Sequence, residues 1–157
     1  MAVDVNNESS MEADLDSLSG LGKHILERLH VHPQAEVSII LLDEDAMERL
    51  HIEWMDLEGP TDVMSFPMDE LTPGRPGALT PAGTLGDIVI CPQVAAEQAQ
   101  RGGHTTADEM LLLATHGLLH LLGFDHAEPA EREEMFGLQR DLLTEFLGRP
   151  APRETIE

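Results

Sequence analysis

Two periodicities run through the chain, and the places where one gives way to the other mark out its elements. Residues 2–6 alternate apolar with polar and read as a short strand. Glu12 to Leu29 follow a helical spacing, softened at Gly20 and Gly22. Glu36 to Leu42 are an apolar strand ending at Asp43, and Glu44 to Met55 form a helix with Met47, Leu50 and Trp54 on one side. Trp54 on that stripe reads as a core anchor. Thr61 to Met68 alternate again, and Pro67 withholds a donor from any ladder, which suits an edge strand. Residues 69–83 collect proline and glycine and form the longest loop, before Thr84 to Ile90 return as a strand. Pro92 opens a helix to about Gln100, Ala107 to Leu122 form another, and Glu128 to Leu147 a last one, with Met135 inside it as core. There are no internal repeats. Elements mixed in this order predict an α+β fold, a small mixed sheet with helices packed mainly on one face, built as one domain over 1–157 with 148–157 as a frayed tail.

Composition narrows the setting. A chain of 157 residues, 41% apolar, is long enough to bury a core. One cysteine excludes a disulfide framework and agrees with a reducing cytoplasm. No apolar run reaches the ~18 residues of a membrane span and no signal layout opens the chain, so no membrane partner is expected. Nine basic against 30 acidic residues leave a net charge of −21, with the basic residues scattered. Affinity for nucleic acid comes largely from Lys and Arg contacts that release phosphate counterions. Nucleic acid is therefore expected to bind weakly, unless the fold gathers a few arginines on one face or a partner protein delivers it. Nothing points to DNA.

The chemistry is concentrated in His116-Gly117-Leu118-Leu119-His120-Leu121-Leu122-Gly123-Phe124-Asp125-His126. Helical residues four apart share a face with Cβ atoms roughly 5–6 Å apart, so His116 and His120 can address one metal ion. Gly123 can end the helix in a left-handed conformation, and the reversed chain can return His126 as a third ligand. Three imidazoles on a tetrahedral ion leave one position for water, as in catalytic rather than structural zinc sites. One Zn(2+) is the expected cofactor, although three imidazoles also accept nickel, cobalt or copper. The string matches the metzincin pattern H-E-x-x-H-x-x-G-x-x-H except that Gly117 replaces the glutamate base. That argues against peptide hydrolysis, and an all-imidazole shell leaves the ion its full charge for an anionic substrate such as a phosphodiester. Asp125, beside a ligand, is a candidate to orient His116 or His120. His24, His30, His32, His51 and His104 lie outside any ligand spacing and receive no role.

The block His116 to His126 resembles the signature of the YbeY family of bacterial rRNA maturation factors, metal-dependent endoribonucleases. Pro60-Thr61-Asp62-Val63-Met64-Ser65-Phe66-Pro67 is similar to that family's P-T-D-V-L-S-F-P segment, and Leu85-Gly86-Asp87-Ile88-Val89-Ile90 to its L-G-D-I-x-I strand. Order and spacing agree over at least 37–147. The resemblance implies a zincin-like fold, a zinc-dependent nuclease acting in 16S rRNA 3′-end maturation and ribosome quality control, and the rRNA and small ribosomal subunit as partners. It also implies an extended substrate along the Thr61 to Met68 edge, where Thr61 and Ser65 are candidate contacts and Asp62 a polar neighbour. Asp87 reads as structural, bonded to a neighbouring loop. The chain departs from the family's N-x-x-[aromatic]-R arrangement, with His51 for the Asn and Met55 for the Arg. The missing arginine would clamp a phosphate, and Arg49 or Arg75 is a possible substitute. Two other readings stay open: a non-catalytic, zinc-stabilised ribosome assembly factor, and a divergent metallopeptidase.

Overall fold

The computed structural model describes residues 2–155. β1 (Ala2–Asn7) leads into α1 (Leu15–Arg28), β2 (Glu36–Leu41), α2 (Glu44–Met55), β3 (Val63–Pro67), β4 (Thr84–Ile90), α3 (Pro92–Gly102), α4 (Thr106–Leu121) and α5 (Pro129–Leu147). Each element expected from the periodicity is present, with differences at the ends. α1 starts at Leu15 rather than Glu12 because the Asp14 side chain accepts the Ser17 amide at 3.1 Å and caps the first turn. Gly20 and Gly22 do not interrupt it. At Gly22 a Cβ would stand 2.8 Å from Val3 Cγ1, so the helix uses the glycine to lie close on β1.

The sheet order is β1-β2-β4-β3, with β3 antiparallel and the other pairs parallel. β3 is an edge strand, as Pro67 predicted. Opposite Pro67 lies Gly86, at φ +139, where a Cβ would meet the Phe66 carbonyl oxygen at 2.1 Å. Only glycine serves there. The register between β2 and β4 shifts at the same level, between Glu36 and Val37.

Alternation along the strands gives the sheet two unequal faces. Val37, Ile39, Leu41, Ile88 and Ile90 join the main core with α1, α4 and α5. On the other side α2 sets Met47 against Val89 and Cys91, with Leu50, Met64 and Phe66 around them. Trp54 corrects an expectation. It is 62% exposed and meets Phe66 edge-on at 5.5 Å, because nothing packs over the outer side of α2. Asp87 lies on this sparse face beside Phe66 and Val89, and among the described residues its carboxylate accepts no hydrogen bond.

α4 is apolar on nearly every side and packs against α1, α3, α5, β3 and β4. Leu112, Leu113, Leu118 and Leu119 are at most 1% exposed. Each contributes about 1.5–3 kcal/mol of transfer free energy, enough to hold the helix in one place. Its first turn is pinned by polar contacts. Thr105 caps it by accepting the Asp108 amide, and Asp108 accepts from both terminal nitrogens of Arg149 at 2.9 Å. Glu109, wholly enclosed, accepts from His104 and from the Thr155 hydroxyl. Arg149 and Thr155 belong to the stretch expected to fray, of which residues 156 and 157 lie outside the described residues. No helix among the described residues is long and apolar enough to cross a membrane.

Candidate metal centre and its cleft

The last turns of α4 present His116 and His120, one turn apart on one side of the helix. The helix ends in a Schellman arrangement: Gly123, at φ +95, donates to the His120 carbonyl and Phe124 to that of Leu119. Asp125 then accepts the His126 amide at 2.7 Å, and the reversed chain returns the His126 ring to the other two. Ring centroids lie 4.6, 5.0 and 5.2 Å apart, and one nitrogen from each ring falls within 4.8 Å of the others. Phe136 of α5 stacks on His126 at 5.8 Å, with the Arg132 guanidinium over Phe136.

Orientation comes from α5. His116 Nδ1 lies 3.2 Å from Oε1 of Gln139, a fully buried amide. An amide oxygen only accepts, so Nδ1 carries the proton and the Nε2 lone pair faces the cluster. The Nε2 atoms of His116 and His120 are 3.1 Å apart. Asp125, expected to orient one of these rings, spends its bond on the His126 amide and acts on His120 through its charge. Gln139 takes the orienting place instead.

Burial, with the neighbouring His120 and His126, pushes His116 down to about 3 against the opposing bond from Gln139. His120 is also lowered, by burial and then by His126, with Asp125 opposing. Both rings are held neutral, the form that binds metals. Two nitrogens on a tetrahedral zinc at 2.0–2.1 Å would stand about 3.3 Å apart, close to the 3.1 Å between the Nε2 atoms of His116 and His120. The three imidazoles could hold one metal ion and leave a position open.

Gly117 is explained by packing. A Cβ there would meet Ile88 Cγ2 at 2.8 Å and Ser65 Oγ at 3.2 Å, and the Ser65 hydroxyl donates to the Gly117 carbonyl. The helix lies directly on β3 and β4, so a glutamate base at this position has no room.

A cleft of about 460 Å³ opens between the histidines and the β3 edge, walled by Thr61 to Ser65 and by His51 and Met55 of α2. Ser65 pins strand to helix. The Thr61 hydroxyl donates to Asp62, whose carboxylate also accepts from the Val63 amide and from Gln98. Arg49 and Arg75 do not reach the cleft, and among the described residues no arginine or lysine lines it. A second groove of about 660 Å³ shares Thr61 and Asp62 with it and carries Arg101 and Arg153.

Reading the sequence missed two residues here. Gln139 had a signal, as a polar side chain among the buried Met135, Phe136, Leu142 and Leu143 of α5. His51, given no role, had one as well, standing at the Asn position of the N-x-x-[aromatic]-R arrangement, and the fold brings it into the cleft with the histidines.

Comparison with known proteins gives the family. The family described as Endoribonuclease YbeY matches residues 4–147. An Endoribonuclease YbeY of Paenarthrobacter aurescens (strain TC1) is 66% identical over the full length of both chains. One from Renibacterium salmoninarum is 64% identical, with 99% of each chain covered. The solution structure of TM1509 from Thermotoga maritima superposes with a TM-score of 0.64 at 27% identity, over 93% of this chain and 89% of that one. The chain belongs to the YbeY family of endoribonucleases.

Proposed function

We propose that this protein is a zinc-dependent endoribonuclease, working as one domain in the cytoplasm on rRNA of the small ribosomal subunit, in 16S rRNA 3′-end maturation and quality control. The observation that carries the reading is the convergence of three imidazoles, two of them held neutral by burial, in an open cleft beside an unpaired strand edge. His116, His120 and His126 would hold the ion, with Gln139 fixing the first. Zinc in that place supplies Lewis-acid polarisation of a phosphodiester oxygen and lowers the pKa of water.

The other steps fall to the chain itself. The β3 edge offers backbone groups along which an extended RNA strand can lie, and Thr61 and Ser65 stand on that path. Gly117 leaves the peptidase base absent, which turns the site away from peptide hydrolysis. Few cations stand near the cleft, so affinity for free RNA is low, and a ribosomal protein or GTPase on the subunit supplies the docking that the acidic surface withholds.

The test is cleavage of a structured rRNA fragment by zinc-loaded protein, beside His116→Ala and a chelated control. Cutting by the loaded wild type alone supports the reading. No cutting with zinc bound one to one, together with retained binding to the small subunit, would replace it with a non-catalytic assembly factor.

A further inference from the structure

One imidazole in the cleft stands outside the cluster. His51, on α2, lines the wall opposite the histidines with Met55, and its Nδ1 lies 2.8 Å from the Gly59 carbonyl oxygen. A carbonyl only accepts, so Nδ1 carries the proton, and the neutral ring keeps its free lone pair at Nε2. The same peptide is held from the other side, where the Gly59 amide donates to Glu48 at 2.7 Å. Glu48 and His51 are three residues apart on one helical face. Together they fix the loop and the ring, so the orientation of Nε2 is set before any substrate arrives. A ring held by one nitrogen with the other free is how an imidazole base is prepared for proton transfer.

Other proton acceptors are engaged. Position 117 has no room for a side chain. Asp62 commits Oδ1 to the Val63 amide and Thr61 hydroxyl, and Oδ2 to Gln98. Asp125 accepts the His126 amide through Oδ1 and lines a different groove, with Thr72 and Pro73. The cluster's own nitrogens face one another. Both positions at which 51–55 departs from the family arrangement, His51 and Met55, lie on the cleft wall. An anion clamp is missing there and an imidazole is present.

We propose that His51, through Nε2, is the proton acceptor of RNA hydrolysis, an inference that rests on the ribonuclease reading above. As the oxygen of water bonds to phosphorus, one of its protons passes to Nε2. The bond from phosphorus to the leaving ribose oxygen breaks on the far side, that oxygen takes a proton from solvent water, and the imidazolium gives its own proton up to solvent. The products are a phosphomonoester and a ribose hydroxyl, and the ring returns neutral. Ionisable groups around His51 are Glu48 on its own helix, Asp62 ahead of β3, and His116, His120 and His126 across the cleft.

His51→Asn and His51→Gln test it, because either amide can still donate to Gly59 but neither can take up a proton. With zinc-loaded protein and an rRNA fragment, kcat is expected to fall about 10²–10⁴-fold. KM and zinc content should stay within about twofold, the pattern of a group that acts in the transition state. Unchanged kcat in both variants would make His51 a loop clamp and overturn the proposal while leaving the ribonuclease reading intact. A loss confined to KM or zinc content would do the same. An inactive zinc-loaded wild type would overturn both.

Discussion

The two ends of α4 bury polar side chains in opposite ways. At the N-terminal end Asp108 takes a two-pronged bond from Arg149, and the enclosed Glu109 takes His104 and Thr155. Every demand is met from within the chain, as a buried carboxylate requires. At the other end His116 and His120 are also desolvated, and each has one hydrogen-bonding neighbour outside the cluster, Gln139 for His116 Nδ1 and the Phe124 backbone for His120. Their remaining nitrogens face each other and His126. The first end is closed, and what it contributes is stability. The second is incomplete, and what it offers is a place for a ligand.

The contrast can be broken from either side. The largest effect is expected at the incomplete end. His120→Ala should release the metal and lower RNA cleavage by about a thousandfold or more, with the metal-free thermal midpoint little changed. Metal content after dialysis and single-turnover rates decide it, and an active, metal-loaded His120→Ala protein would move the ligands elsewhere. At the closed end the outcome should reverse. Glu109→Ala strips the acceptor from two donors and should cost about 2–4 kcal/mol in urea unfolding. Its cleavage rate per folded molecule should match wild type.

Gln139 sharpens the comparison because it belongs to the site yet sits in the core. Gln139→Leu should weaken metal affinity about 10–100-fold in competition with a chromophoric chelator. Metal-free stability should change little, since the variant removes the unpartnered Gln139 amide nitrogen but also strips His116 Nδ1 of its acceptor. Unchanged affinity would show that the amide does not set the ring.

The smallest effect is one of pH on the metal-free protein. An unfolded His116 takes its proton near 6.5 and the folded one only near 3. Between those values the unfolded chain binds more protons, so stability falls as pH drops through the window, by about 1.4 kcal/mol per unit from this group. His116→Leu, compared with wild type from pH 7 to 5, should lose that share of the slope. Parallel curves would mean that the ring accepts a proton in the folded state.

Much of this could be read from the chain because it is local. His116, His120, Gly123 and His126 fall within eleven residues, and helix geometry with one glycine determines how they meet. Pro67 marked the β3 edge for an equally local reason. What escaped was non-local. The apolar stripe of α2 predicts that one side is covered but not how far the cover extends, so Trp54 came out half open. The partner of His116 lies 23 residues on and on another helix, whereas Asp125 was merely adjacent in the chain. His51 joins the cleft only because α2 and the loop to β3 fold beside α4, a relation no spacing rule encodes.

Cys91 draws out one more consequence. The chain's single cysteine is fully buried against Met47 and Val89, and burial pushes its thiol up, away from the reactive thiolate. With nitrogen ligands alone in the site, peroxide finds no sulfur to strip from the metal. The soft spots lie elsewhere: Met68, 66% exposed, and Met55, 59% exposed and on the cleft wall. Oxidative damage to this protein should begin at these two thioethers, as sulfoxides that reductases can reverse, and at Met55 it would make an apolar part of the cleft wall polar.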